Sequence, residues 1–158
     1  MSTQLQGANA LTVAFNSGAF AGGSTASQFT NAALINYAIN GRFFSRAVVA
    51  SQPLVIEPNT GINPIQGQVL QSIPAGRACA FAVLLDAAGA FTVMQGDIVD
   101  AGLNCPVPMA IRDRCIVAAI KVNNASASAF IPGTTAFNVG GGVTTTFVNL
   151  AQHPGASV

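Results

Sequence analysis

Short runs in which every second residue is apolar recur along this chain, each closed by Gly, Pro or Asn. Alternation with a period of two places successive side chains on opposite faces of a sheet. No segment carries apolar residues at a helical spacing together with caps. The one stretch that competes is Ala26 to Ile35, where Ser27 offers a cap. No acidic residue follows it, and its apolar positions fit a strand equally well. The pattern therefore predicts an all-β chain: an antiparallel β-sandwich, a jelly-roll-like fold or a partly open barrel of seven to nine short strands.

The individual strands are legible in order. Leu11, Val13 and Phe15 alternate with Thr12 and Ala14, which predicts a short strand with one strongly apolar face. A Gly, Ser and Ala loop follows over Asn16 to Gln28, with Phe20 as its one large apolar group. Phe20 is either a plug on the chain's own core or an anchor in a neighbour. Tyr37 and Ile39 then alternate with Asn36 and Ala38, and Asn40-Gly41 comes next. Asn-Gly between apolar alternations favours a type I′ turn, because both central residues need positive φ. A hairpin is expected here, with a returning strand that runs from Arg42 and extends through Val48 and Val49. Phe43 and Phe44 are consecutive on it, so one ring points inward and the other outward.

Between Gln52 and Ile73 the regularity breaks. Pro53, Pro58 and Pro64 each remove a backbone donor and restrict the residue before them. Leu54 and Ile56 suit a short edge strand. Beyond this segment, Cys79, Phe81, Val83 and Leu85 share one face of a run whose other face is Ala80, Ala82 and Leu84. A strand apolar on both faces is covered on both sides. Asp86 to Gly89 reads as a tight turn in which Asp86 caps amides and Gly89 takes a left-handed conformation. Later strands are expected over Phe91 to Met94, Ile116 to Val122 and Val143 to Val148. Gly140 to Gly142 forms a hinge between the last two.

Charge is the next constraint. Asp, Glu, Lys and Arg make up only 7% of 158 residues, the formal net charge is +1 and hydrophobic residues are 51%. A typical soluble domain carries about 25% charged residues. An exterior of Ser, Thr, Asn, Gln, Ala and Gly suits coverage by other protein, so the expectation is a subunit of a large assembly. The near-neutral balance offers no electrostatic footprint for nucleic acid. The longest apolar run, Ala78 to Leu85, falls well short of the roughly twenty residues of a membrane span, and without a basic region followed by an apolar block at the N-terminus no secretory signal is expected. Neither a nucleic-acid nor a membrane partner is expected.

Chemistry-bearing residues are sparse. His153 stands alone in a polar tail, where no triad can form around it. Cys79, Cys105 and Cys115 are an odd number and read as buried small hydrophobes, with a single Cys105–Cys115 bridge as the alternative. Their spacing does not make a zinc site. Asp97 and Asp100 lie close in sequence but lack a calcium-loop motif. Gly140 to Gly142 lacks the Lys-Ser/Thr of a phosphate loop. No catalytic residue, no metal and no cofactor is assigned, and the chain reads as a non-enzyme.

The stretch from Asn31 to Ala47, NAALINYAINGRFFSRA, resembles an opening hairpin of structural proteins from tailed bacteriophages. So does Phe81 to Asp97, FAVLLDAAGAFTVMQGD. The run Cys115 to Val122, FIPGTTAFN at Phe130 to Asn138 and the strand to Leu150 complete the order, so the resemblance covers Asn31 to Leu150. It consists of turns and apolar strands and carries no catalytic signature. The family it points to is that of small head decoration, or cement, proteins. It implies a β-rich subunit on the outer surface of a virion head, made in the host cytoplasm. Its partners would be the major capsid protein and further copies of itself, as a trimer. The alternative is a tail fibre, spike or other receptor-binding module, which the absence of Trp disfavours. The expected organisation is an N-terminal arm (1–9), one β domain (10–150) and a C-terminal tail (151–158). The interface residues expected are Phe20, Phe43, Phe44, Pro53, Pro58 and Pro64, with both terminal segments as arms.

Overall fold

Eight residues from Ala78 to Leu85 have no measurable solvent exposure, and the rest of the protein is arranged around them. The computed structural model describes residues 12–23, 28–55, 69–108, 113–137 and 141–150. Among these residues there is no helix, and eleven strands are present. They are β1 (Val13–Ala14), β2 (Phe20–Gly22), β3 (Gln28–Asn31), β4 (Ile35–Ile39), β5 (Arg42–Arg46) and β6 (Val49–Pro53). The remainder are β7 (Arg77–Leu85), β8 (Phe91–Gln95), β9 (Val99–Asp100), β10 (Cys115–Asn124) and β11 (Val143–Asn149). All pairings are antiparallel. The fold class is all-β and sandwich-like, with no closed barrel.

The strands form three sheets. The large one runs β11-β10-β7-β8, with β9 also on β7. Two small sheets run β1-β4-β5 and β2-β3-β6. One core cluster draws on all three. It joins Phe81 and Val83 of β7, Val117 and Ile120 of β10, Ile35 and Tyr37 of β4, and Phe20 and Phe29 of β2 and β3. Phe91 of the large sheet meets Phe20 and Phe29 edge-on, at centroid distances of 6.0 and 5.5 Å. Such edge-to-face pairs add specific geometry to apolar burial. The opposite face of β7 is buried as well. Ala82 and Leu84 pack with Met94, Ile116, Ala119 and Leu150, while Ala78 and Ala80 pack with Cys105.

The hairpin turns follow their residues. Asn40 and Gly41 take φ of 51° and 77°, the two left-handed positions of a type I′ turn. Asp86 Oδ1 accepts the amide N–H groups of Ala88 and Ala90, both at 2.8 Å, and Gly89 has φ 78°. Buried Asn124 is satisfied on both sides of its amide. It donates to the carbonyls of Ile73 (2.9 Å) and Ser128 (2.8 Å), and its oxygen accepts from Ser126.

Several expectations are corrected. The apolar face of β1 is inverted: Ala14 is buried, while Val13 and Phe15 lie on the outer side. The register decides this, because Ala14 pairs with core-facing Tyr37 and Val13 with Ala38. β5 ends at Arg46 and does not continue through Val48 and Val49; Val49 opens β6 in a different sheet, opposite Asn31. Of the expected Leu54–Ile56 edge strand, Ile56 lies outside the described residues; β6 ends at Pro53, Leu54 is buried, and the Val55 carbonyl accepts the Val93 amide at 2.7 Å. Within the stretch that competed as a helix, Gln28 to Asn31 are strand. The described residues hold eleven strands against the expected seven to nine, because the small sheets are assembled from pieces of two to five residues; the all-β, sandwich-like class is unchanged.

Candidate functional site

Strands β1, β4 and β5 present two rows of side chains, because residues directly opposite each other in antiparallel pairs point to the same side. One row is Ala14, Tyr37 and Phe44; the other is Val13, Ala38 and Phe43. The first faces the core. Tyr37 is fully covered, stacks on Phe44 at 5.5 Å, and its hydroxyl donates to the Asp86 carbonyl at 2.7 Å. Burial lifts the Tyr37 phenol above its ordinary pKa, and the neighbouring Asp86 charge adds to the shift.

The second row forms the candidate site. Phe43 is 73% exposed and stacks on Phe15, with ring centroids 5.4 Å apart and planes 23° from parallel. Phe15 is tied into the sheet by its amide, which donates to the Asn36 carbonyl at 2.8 Å. Leu34, 48% exposed, extends the row just ahead of β4. Asn16 fixes this end: its Nδ2 donates to the Leu34 carbonyl (2.6 Å) and its Oδ1 accepts the Asn36 amide (2.7 Å). The side chains of this face, Val13, Phe15, Leu34, Asn36, Ala38, Phe43 and Ser45, include no charge. The arginines of β5 lie in the other row, and the Arg46 guanidinium sits over the Phe91 ring, 5.4 Å from its centroid. The face is therefore a small, largely apolar surface on a hydrogen-bonded frame, suited to contact with another apolar surface.

The residues expected at an interface are divided by the structure. Phe43 lies at the centre of the exposed face, and Phe44 is its half-buried inward neighbour, as their adjacency predicts. Phe20 belongs to the core. It is 5% exposed and packs on Phe29 at 5.9 Å, so it is a plug and leaves the set of interface residues. Pro53 is exposed at the end of β6, opposite Gln28, on a different sheet from Phe43. Pro58, Pro64, His153 and both terminal arms lie outside the described residues. The sequence reading missed Phe15 and Leu34. The signal for Phe15 was its shared parity with Val13, but parity alone does not say which side faces the core.

The other polar clusters do not converge. Asp100 pairs with Arg77 at 2.6 Å on an exposed edge. Among the described residues, no three His, Cys, Asp or Glu side chains gather as metal ligands would. All three cysteines are buried free thiols, so the alternative Cys105–Cys115 bridge is not formed. Burial pushes the thiols of Cys79 and Cys115 up to about 12 and raises that of Cys105. Cys79 Sγ also lies 3.2 Å from the Gly96 carbonyl. Burial thus disfavours the thiolate, the form in which a cysteine acts as a nucleophile. No family model, curated protein or solved structure matches the chain.

Proposed function

We propose that this chain is a non-enzymatic decoration, or cement, subunit of a bacteriophage head, which binds the outer surface of the capsid shell across the seams between capsomers. The observation that carries this reading is the Phe15–Phe43 stack with Leu34 on a sheet face free of charge. A ring as exposed as Phe43, held by a second ring on a rigid frame, is what an interface anchor requires. The sparse charge of the whole chain supports the same reading, as does the resemblance over Asn31 to Leu150. The partners are the major capsid protein and sister copies of this chain as a trimer.

In this reading the work is done by linkage. A subunit that binds the assembled shell and not separated capsomers shifts the equilibrium toward the assembled state. Three exposed apolar side chains are a modest contact for one copy, and attachment of many copies multiplies the effect through avidity. Cryo-electron microscopy of purified particles tests the proposal. The expected result is density over the capsomer seams with the Phe43 face turned to the shell, and loss of that density in Phe43→Ser. Density confined to the tail assigns the chain to a fibre or spike and overturns the head assignment. The absence of particle density overturns both.

A further inference from the structure

Asn40 and Gly41 serve the fold as a turn, but they are also a chemically reactive pair. Backbone nitrogen of a residue following Asn can attack the side-chain amide, and Gly permits this best because it has no side chain to obstruct the approach. Asn40 is exposed at the tip of the hairpin, so water reaches it. Its side chain is engaged: Nδ2 donates to Asp113 Oδ1 at 2.5 Å. Its backbone amide donates to Thr12 Oγ1 at 3.2 Å. Asp113 is itself held at φ 60°, a left-handed conformation that costs a non-glycine residue energy, just ahead of β10. Two residues in left-handed conformation, 73 positions apart, thus meet side chain to side chain.

We propose that Asn40 is a site of spontaneous deamidation whose rate is set by Asp113. In the reaction, the Gly41 backbone nitrogen gives up its proton to solvent and bonds to Asn40 Cγ. The Cγ–Nδ2 bond breaks and ammonia leaves, giving a five-membered imide. Water then opens the imide at either carbonyl to aspartate or isoaspartate. Water is the only co-reactant and no redox change occurs. Ring closure requires Cγ to swing onto the Gly41 nitrogen, and that movement takes the amide off the Asp113 carboxylate. The hydrogen bond therefore holds the reactive carbon away from its nucleophile. The product reverses the contact: a carboxylate at position 40 faces the carboxylate of Asp113, so a charge-assisted hydrogen bond becomes a like-charge repulsion at the junction of the small sheet and β10. The isoaspartate product also adds a backbone atom to a turn whose register depends on two central residues.

The test is prolonged incubation of the full-length protein at pH 8 and 37 °C, with the extent of amide-to-acid conversion at position 40 read by peptide fragmentation mass spectrometry. Three chains are compared: the natural sequence, Asp113→Gly, and Asp113→Asn. Glycine removes the acceptor and accepts the positive φ without strain, while asparagine keeps an acceptor oxygen and tolerates φ 60°. Asp113→Gly is expected to lose the Asn40 amide about five-fold faster than the natural chain, the order of one ordinary hydrogen bond, since solvent exposure screens the charge on Asp113. Asp113→Asn is expected to fall between them. In concentrated guanidinium the three chains should react at one common rate, faster than the native protein. Equal native rates for the natural chain and Asp113→Gly overturn the proposal. So do equal rates for the two variants, which would exclude the acceptor as the cause, or conversion mapping to another asparagine.

Discussion

Leu84 and Leu85 are adjacent residues of one type, both with no exposure, on opposite faces of β7. Leu85 belongs to the core shared by the three sheets, and Leu84 to the cluster on the far side with Met94 and Ile116. They therefore form a matched pair for testing whether the second face is a packed core. Changing leucine to alanine deletes three carbons. At about 0.8 kcal/mol per buried methylene the transfer loss alone is about 2.4 kcal/mol, and the residual cavity brings the total to about 3–5 kcal/mol. Against a domain stability of about 5–15 kcal/mol, each change is a large fraction of the whole. Urea titration of Leu84→Ala and Leu85→Ala measures it. Tyr37, the one Tyr in a chain without Trp, reports core unfolding by fluorescence, and far-ultraviolet circular dichroism reports the sheets. With a slope of about 1–3 kcal/mol/M, each midpoint should fall by about 1–5 M. If Leu85→Ala shows this loss while Leu84→Ala stays within about 0.5 kcal/mol of the parent, β7 is covered on one face only and the two-sided reasoning fails.

Phe43→Ser should leave stability within about 1 kcal/mol of the parent, because the ring is largely exposed, while abolishing attachment to shells in a pelleting assay. A large drop in melting temperature would make Phe43 a structural residue. Gly142→Ala should cost about 2 kcal/mol or more by thermal melt, since φ is 105° and the new Cβ would lie 2.8–2.9 Å from the backbone of Ala125 and Ser126. The thiols should resist a thiol-specific reagent at pH 8 in the native protein, and all three should react in denaturant. For Cys79 and Cys115 the unfolded chain loses its thiol proton near the ordinary value of 9, whereas the native chain retains it to about 12. Below 9 both states are protonated and these groups add no pH dependence. Stability should then fall as pH rises from 9 toward 12, by about 1.4 kcal/mol per pH unit for each thiol, in urea titrations at stepped pH.

The parts of the fold legible in the sequence are those fixed by neighbours along the chain. Asn40-Gly41 specifies its turn through the φ values it needs, and Asp86 to Gly89 through a carboxylate that caps two amides. The two-faced apolar run of β7 announces its own burial. What stayed hidden is decided by partners far away in sequence. Alternation shows that β1 has two faces, but only its pairing with β4 sends Ala14 inward and Phe15 outward. Phe20 is equally apolar as plug or anchor, and Phe29 and Phe91 decide the matter by surrounding it. The candidate site suffered most from this, since Phe15 and Leu34 join Phe43 only after the three strands are in register.

The amide N–H of Phe20 donates to Asn149 Oδ1 at 2.9 Å, across a separation of 129 residues. β2 therefore takes a capping oxygen from the end of the last strand, and β3 and β6 share a core with β10. On a ribosome, the N-terminal quarter of this protein emerges long before the strands it must lean on have been made. Contacts this distant in sequence make for slow folding, and apolar pieces such as Phe20 and Phe29 wait uncovered meanwhile. Truncation shortly before Asn149 would leave the Phe20 amide without this acceptor.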